Sequence, residues 1–246
     1  MKAARLYAHG GLRIEEVPKP EPGPGEVLVQ VEVALAGGTD LKTFRSVDPS
    51  PGGSPSPFGR ELCGFVDERR VVAAVPLIGA CADWALVPAE AADSVLAVPV
   101  GLASEVAALV DPLARCLRQV GEVGVTAGET AAILGGGPLG LLLSACVTDA
   151  GALAVVVGGD PGWQELATEF GATAGDGRGA DVVIEAAEVE QGSPRRSPAT
   201  VRAALGFLAS AAYPWARLIT HHVLLADLPA FLAAPPPGLL KAAVVP

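Results

Sequence analysis

Aromatic residues are scarce in this chain: Phe, Trp and Tyr make up 4% of its 246 residues. Basic residues are short as well, 17 Lys and Arg against 27 Asp and Glu, for a net charge of −10. A nucleic-acid partner is not expected of such a surface, because binding a polyanion relies on clustered cations that release its counterions. Only four cysteines occur, Cys63, Cys81, Cys116 and Cys146, with no Cys-x-x-Cys pair and no His at ligand spacing. In a chain without a secretory signal they read as small buried residues or free thiols, and no metal site is expected from them. No apolar run is long enough to span a bilayer, and Met1–Arg5 leads into polar residues without a signal-peptide core. No membrane partner and a cytoplasmic location are therefore expected. What is abundant is small and apolar: half of the residues are hydrophobic, mean hydropathy is +0.44, and Gly and Pro number 30 and 22. That suffices for a large core in one big or two modest domains.

The first third reads as β structure. Lys2–Tyr7, Leu12–Val17, Glu26–Val33 with its period-two alternation, Gly64–Asp67, Arg70–Val75 and Trp84–Val87 are short strands divided by Pro and Gly. Pro18–Gly25 and Asp48–Pro57 read as loops. Val106, Leu109, Val110, Leu113, Leu117 and Val120 then recur at helical spacing behind Ser104-Glu105, and Asp111-Pro112 predicts a kink or break in that helix. From Thr126 the pattern becomes βαβ, with apolar runs Thr130–Leu134 and Ala152–Val157 around a helix over Pro138–Val147. Trp163–Phe170 and Thr200–Ser210 read as further helices, and Asp181–Ala186 as a strand; Leu218–Leu225 and Leu239–Val245 have strand character. A polar, Pro-rich stretch covers Glu188–Ala199.

Between the first apolar run and its helix stand Gly135, Gly137 and Gly140 in a G-x-G-x-x-G frame that includes Pro138 and Leu139. A strand turning on glycine into a helix aims backbone N–H groups and the positive helix end at one point, where a dinucleotide pyrophosphate is expected. The ribose-reading place, at the end of the next strand, is Gly158, with Asp160 two residues on. Glycine there leaves room for a 2′-phosphate and leans towards NADP, although NAD stays open because no arginine is close in sequence.

In order along the chain, Pro-Gly-Pro-Gly-Glu-Val-Leu-Val29, Gly38-Thr-Asp-Leu41, Pro57-Phe-Gly-Arg-Glu-Leu-Cys-Gly64, Ala82–Pro88, Ala108-Leu-Val-Asp-Pro-Leu-Ala114, the glycine turn, Glu165–Ala172 and Asp181–Glu185 resemble the zinc-type alcohol dehydrogenase branch of the medium-chain dehydrogenase/reductases. The resemblance implies an α/β fold: a GroES-like, β-barrel-type catalytic domain over 1–120, a shortened Rossmann domain over 121–210, and a segment 211–246 returning to the catalytic domain. It also implies a small-molecule substrate in the cleft between the domains.

The departures from that family narrow the chemistry. The family's catalytic zinc takes a Cys just before Gly-Thr-Asp and a His just before the Glu of Gly-His-Glu; here those places hold Gly37 and Arg60. Arginine keeps its proton and repels a metal cation. Glu61 and Asp111 remain, and two carboxylates alone do not make a zinc site; Arg60 pairing with one of them is the structural alternative. The family's four-cysteine zinc lobe, expected between Val75 and Cys81, is replaced by Pro76–Ala80. No fifth or sixth Rossmann strand is evident after Asp181–Ala186, which puts nicotinamide binding and the family's usual dimer in question and leaves the oligomeric state open. Thr39 stands at the family's relay hydroxyl and Lys42 where some members place a relay His. Without a metal, Thr39, Lys42 or Arg60 is expected to donate to the substrate oxygen, with Asp111 beside them. His9, His221 and His222 fit no ligand or nucleophile pattern and read as structural. The expected activity is that of a zinc-independent NAD(P)-dependent oxidoreductase moving hydride between the cofactor and a small carbonyl, alcohol or enone. The alternative is a non-catalytic or repurposed relative that binds a small molecule or serves in a pathway assembly.

Overall fold

A computed structural model describes residues 1–7, 11–46, 54–74, 79–186 and 197–246. His9, most of the Asp48–Pro57 loop, most of the connection replacing the zinc lobe and most of Glu188–Ala199 lie outside the described residues. In chain order the elements are β1 (Lys2–Tyr7), β2 (Gly11–Glu16), β3 (Val27–Ala36), α1 (Gly38–Arg45), β4 (Ser56–Pro57), β5 (Glu61–Val66), β6 (Arg69–Ala73), β7 (Trp84–Val87), β8 (Val95–Ala97), α2 (Ser104–Ala107) and α3 (Val110–Val123). There follow β9 (Thr130–Leu134), α4 (Pro138–Asp149), β10 (Leu153–Val157), α5 (Pro161–Ala167), β11 (Ala172–Ala174), β12 (Val182–Glu185), α6 (Pro198–Ala209), β13 (Ile219–Leu224), α7 (Leu228–Ala233) and β14 (Lys241–Val245).

The chain folds as a mixed α/β protein. Its first half builds a seven-stranded sheet in the order β13-β14-β3-β5-β6-β8, with β7 also paired to β3, and a three-stranded sheet β2-β1-β4. The expected return of the C-terminal residues takes the form of β14 pairing antiparallel with β3, Ala242 opposite Ala36. The large sheet is buried on both faces. Val33, Leu35, Cys63, Val72 and Ala243 pack towards α3 and the parallel sheet, while Ala34, Ala36, Leu62, Val71 and Val244 pack towards β1, β2 and α7. Two covered faces explain why the second half of β3, Val33–Ala36, drops the polar alternation of its first half.

The parallel sheet runs β11-β10-β9-β12, with Val157 and Glu185 both opposite Leu134. This is the strand order of a Rossmann half extended by one strand. The short Ala172–Ala174 run supplies its third strand. Among the described residues the sheet holds four strands, and after α6 the chain leaves it for the large sheet.

The helical break falls earlier than the Asp111-Pro112 dipeptide. α2 ends at Ala107 and α3 starts at Val110, with Pro112 inside its first turn. Proline has no N–H for the carbonyl four residues back and its ring crowds that carbonyl, here the one of Ala108, so the helix parts one turn ahead of the proline. Among the described residues no helix is long and apolar enough to cross a membrane.

Candidate active site

The glycine turn has the three features that a dinucleotide cradle requires. Gly135 has φ +115°, a conformation open chiefly to glycine. A Cβ on Gly140 would lie 1.9 Å from the Gly135 carbonyl oxygen, so α4 reaches β9 only because that residue has no side chain. Gly137 caps α4, Pro138 takes the first helical position, and a Cβ on Gly137 would meet only the Trp163 ring, at 3.7 Å. A pyrophosphate against the N-terminus of this twelve-residue helix would lie beside the Trp163 ring. Leu139 turns inward, its carbonyl 3.9 Å from the Cys116 thiol. A second turn, at the end of β10, touches the first: a Cβ on Gly136 would stand 3.1 Å from the Gly158 oxygen. Gly158 itself has φ +76° and open space where a side chain would project. Asp160 caps α5, its carboxylate accepting from the Gly162 N–H at 2.9 Å, and Gln164 donates to the Gly158 oxygen at 3.1 Å. These residues make a surface that fits a dinucleotide.

The other candidate residues gather at one end of the large sheet. Gly37, Glu61 and Lys241 continue the face that carries Leu35, Cys63 and Ala243, the face that packs on α3. Lys241 is 3% exposed, and its ammonium donates to Glu61 Oε1 at 2.5 Å. Its side chain lies across Gly37: a Cβ there would be 2.8 Å from Lys241 Cδ and 3.2 Å from Nζ. Gly37 has φ −153°, extended backbone that any residue adopts, so a side chain there would have to displace the end of the lysine rather than strain the backbone. Burial raises the Glu61 carboxyl to about 7; the lysine pulls it down, while the buried Asp40 and Asp111 carboxylates nearby push it further up. Glu61 Oε2 is enclosed and has no hydrogen-bond partner.

Asp40, rather than Thr39, closes the turn into α1, accepting from the Gly37 N–H at 2.9 Å. Thr39 is half-buried in the first turn of α1, next to this cluster. Lys42 is exposed one turn on, lining an open cavity of about 600 Å³ with Gly38, Leu41, Arg45 and Ser46. Arg60 is half-buried beside Glu61, yet the carboxylate's ion pair is with Lys241. Asp111 sits in the first turn of α3, close enough to Glu61 to raise its carboxyl.

This end of the sheet does not fit a zinc ion. Gly37 offers no ligand atom, Arg60 is a cation, and the Lys241 ammonium already holds a Glu61 oxygen. Among the described residues no group of three or more His, Cys, Asp and Glu is placed to hold a metal. All four cysteines are buried and none forms a disulfide. Burial drives the Cys63 thiol up to about 11 and those of Cys81 and Cys146 well above their ordinary range, which removes them as thiolate nucleophiles. His222 pairs with Glu105 at 2.8 Å and His221 with the Thr220 hydroxyl at 2.9 Å, both at the surface.

Sequence reasoning missed Lys241 altogether. Its only trace is a lone charge opening the otherwise apolar run Lys241–Val245. It also placed Trp163 merely on a helix, where its ring flanks the glycine turn.

No protein-family model matches the chain. Among curated proteins it is similar to the L-threonine 3-dehydrogenase of Xanthomonas axonopodis pv. citri (strain 306), 28% identical over 214 residues. That match covers 70% of this chain and 62% of the relative, so the chain spans under two thirds of the relative's length. Among solved structures, a protein from Sinorhizobium meliloti 1021, described among zinc-binding dehydrogenases and bound to NADP, aligns over 100% of this chain and 99% of its own, with 25% identity and a TM-score of 0.83. Alcohol dehydrogenase TADH from Thermus sp. ATN1 aligns over the same shares with a TM-score of 0.85; at 19% identity it bears on the fold alone.

Proposed function

Because the chain belongs to the medium-chain dehydrogenase/reductase superfamily, in its zinc-type alcohol dehydrogenase-like branch, we propose that it acts as an NAD(P)-dependent oxidoreductase that works without zinc. Its substrate is a small carbonyl, alcohol or enone. The observation that carries the reading is the glycine cradle: three glycines whose missing side chains shape a turn for a pyrophosphate. When bound, the nicotinamide supplies or accepts hydride. The chain's own residues do the rest. Gly137 and Pro138 offer the helix end to the phosphates beside the Trp163 ring, and Gly158, without an acidic side chain, leaves room for the 2′-phosphate of NADP. Thr39, at the start of α1, holds a hydroxyl next to the carboxylate cluster and donates to the substrate oxygen. Arg60 and Lys42 supply positive charge that favours the build-up of negative charge on that oxygen. Asp111 adds a buried carboxylate near Glu61 from the first turn of α3. The domain division at about residues 120 and 210 belongs to the same reading, with the substrate between the halves and the protein in the cytoplasm.

Fluorescence titration of the pure protein with NADPH and NADH tests the proposal. Saturable binding of at least one, tighter for NADPH, is expected; binding of neither removes the oxidoreductase. Metal analysis of protein produced with added zinc tests the other half, and stoichiometric zinc would remove it. One observation favours the second reading, a binding relative without catalysis: among the described residues the parallel sheet has four strands. Saturable cofactor binding with no turnover of any aldehyde, ketone or quinone would support it.

A further inference from the structure

Cations are the scarce charge in this chain, 17 Lys and Arg against 27 Asp and Glu, and several of them hold carboxylates: Arg118 pairs with Glu122, Arg178 with Asp176, Arg217 with Glu169 and Lys241 with Glu61. Lys42 and Arg45 do not. Among the described residues neither has a carboxylate partner, although acids are in excess. Both stand on one face of α1, where Gly38, Leu41, Lys42 and Arg45 occupy positions i, i+3, i+4 and i+7 and, with Ser46, line the open cavity of about 600 Å³. The helix has one acid, Asp40, and it is turned away: its buried carboxylate accepts from the Gly37 N–H. The wall that α1 gives the cavity therefore carries two positive charges and no negative one. Like charges three residues apart on a helix repel, and an anion between them relieves that cost.

We infer that this cavity binds an anionic group of the substrate, so that the substrate is a small carbonyl or alcohol compound bearing a phosphate ester or a carboxylate. Resting on the proposed oxidoreductase function, this names the substrate class of the same site. Lys42 lies three positions from Thr39 and three from Arg45, a neighbour of both on the helix surface. From Thr39 to Arg45 the helix rises about 9 Å, the scale of a compound of a few carbons. With the reacting oxygen at Thr39, the far end of such a compound falls between Lys42 and Arg45. The guanidinium and the ammonium donate charge-assisted hydrogen bonds to it there. Hydride passes between the nicotinamide and the reacting carbon and a proton to or from its oxygen. The anionic group is a handle that changes in neither direction. It fixes the orientation of the substrate along α1 and favours charged compounds over neutral ones of the same length.

Calorimetric titration of the full chain with inorganic phosphate and with acetate, at about 0.15 M chloride, tests this without a known substrate. The protein is loaded with NADP, so that the glycine turn is already filled. Saturable one-to-one binding of at least one anion is expected; tighter phosphate binding assigns a phosphate ester, tighter acetate binding a carboxylic acid. Both cations are exposed, so replacing them leaves the core intact. Arg45→Gln should weaken the anion at least about tenfold, Lys42→Gln likewise, and Lys42→Arg should keep most of the affinity. NADPH affinity in Arg45→Gln should stay within about twofold of the wild type. Binding of neither anion, or binding that Arg45→Gln leaves unchanged, overturns the inference. A loss of NADPH affinity equal to the loss of anion affinity overturns it too, because the two cations then serve the cofactor. Failure of the oxidoreductase reading looks different, since the wild-type protein then binds neither NADPH nor NADH.

Discussion

Glu61 sets how the stability of this chain responds to pH. Burial lifts its carboxyl from an ordinary 4.5 to about 7, against the pull of the Lys241 ammonium and with Asp40 and Asp111 adding to the rise. The unfolded chain thus gives up this proton near pH 4.5, the folded chain only near pH 7. Between those values the fold holds more protons than the unfolded state, so the stability from this group falls as pH rises. It is fully present below pH 4.5 and lost above about 7. At about 1.4 kcal/mol per pH unit, the window from 4.5 to 7 corresponds to about 3 kcal/mol, a large share of the roughly 5–15 kcal/mol that holds a typical domain together. Glu61→Gln removes the titration but strips Lys241 of its buried partner, an offset of about 3–5 kcal/mol that is nearly independent of pH in this range. Slope and offset therefore separate. Urea unfolding followed by circular dichroism from about pH 5 to pH 8 should show the wild-type midpoint falling by about 1 M, for an m-value of about 3 kcal/mol/M. The Gln variant should have a lower midpoint and a much flatter profile. A Gln variant that kept the wild-type slope would refute the placement of the titrating group.

Three further outcomes follow from the packing. Gly140→Ala drives a Cβ to 1.9 Å from the Gly135 oxygen and should cost more than about 3 kcal/mol in denaturant unfolding, whereas Gly137→Ala, which meets only Trp163, should keep the melt and weaken NADPH binding at least about tenfold. Gly158→Asp puts a carboxylate at the ribose edge in a left-handed conformation that Asp tolerates, and should shift the ratio of NADPH to NADH affinity towards NADH by about tenfold or more, read in paired fluorescence titrations. Phe170, fully buried and packed with Tyr213 at 6.2 Å and Trp215 at 5.8 Å between ring centroids, should cost about 3–5 kcal/mol as Phe170→Ala, with loss of near-ultraviolet dichroism.

The nucleotide half was legible in the sequence because its signals are local. An apolar run, glycine at fixed offsets and an apolar helix share one short stretch, and each glycine answers a constraint set by residues a few positions away, such as Gly140 against Gly135. The strands of the first half were legible as strands, but their ends shifted: Val33–Ala36 continues β3 beyond the alternating part, since burial on both faces erases the period that marks a half-buried strand. Asp111-Pro112 announced a helical break correctly in kind and one turn late in place. Arg60 suggests a pair with Glu61 or Asp111 in the sequence, yet the cation that pairs with Glu61 comes from another strand.

Lys241 and Glu61 are 180 positions apart, and no local pattern joins them. Their meeting depends on register. Side chains on β14 alternate between the α3 face and the opposite one, so a slip of one residue in its pairing with β3 would carry Lys241 off the face of Glu61 and bring Ala242 onto it. Gly37, which in the sequence reads as the loss of a metal ligand, lies against the far end of that lysine, where a Cβ would stand 2.8 Å from Lys241 Cδ. A side chain at position 37 would therefore have to share its space with a stem that arrives from the last strand, a neighbour that no local pattern announces.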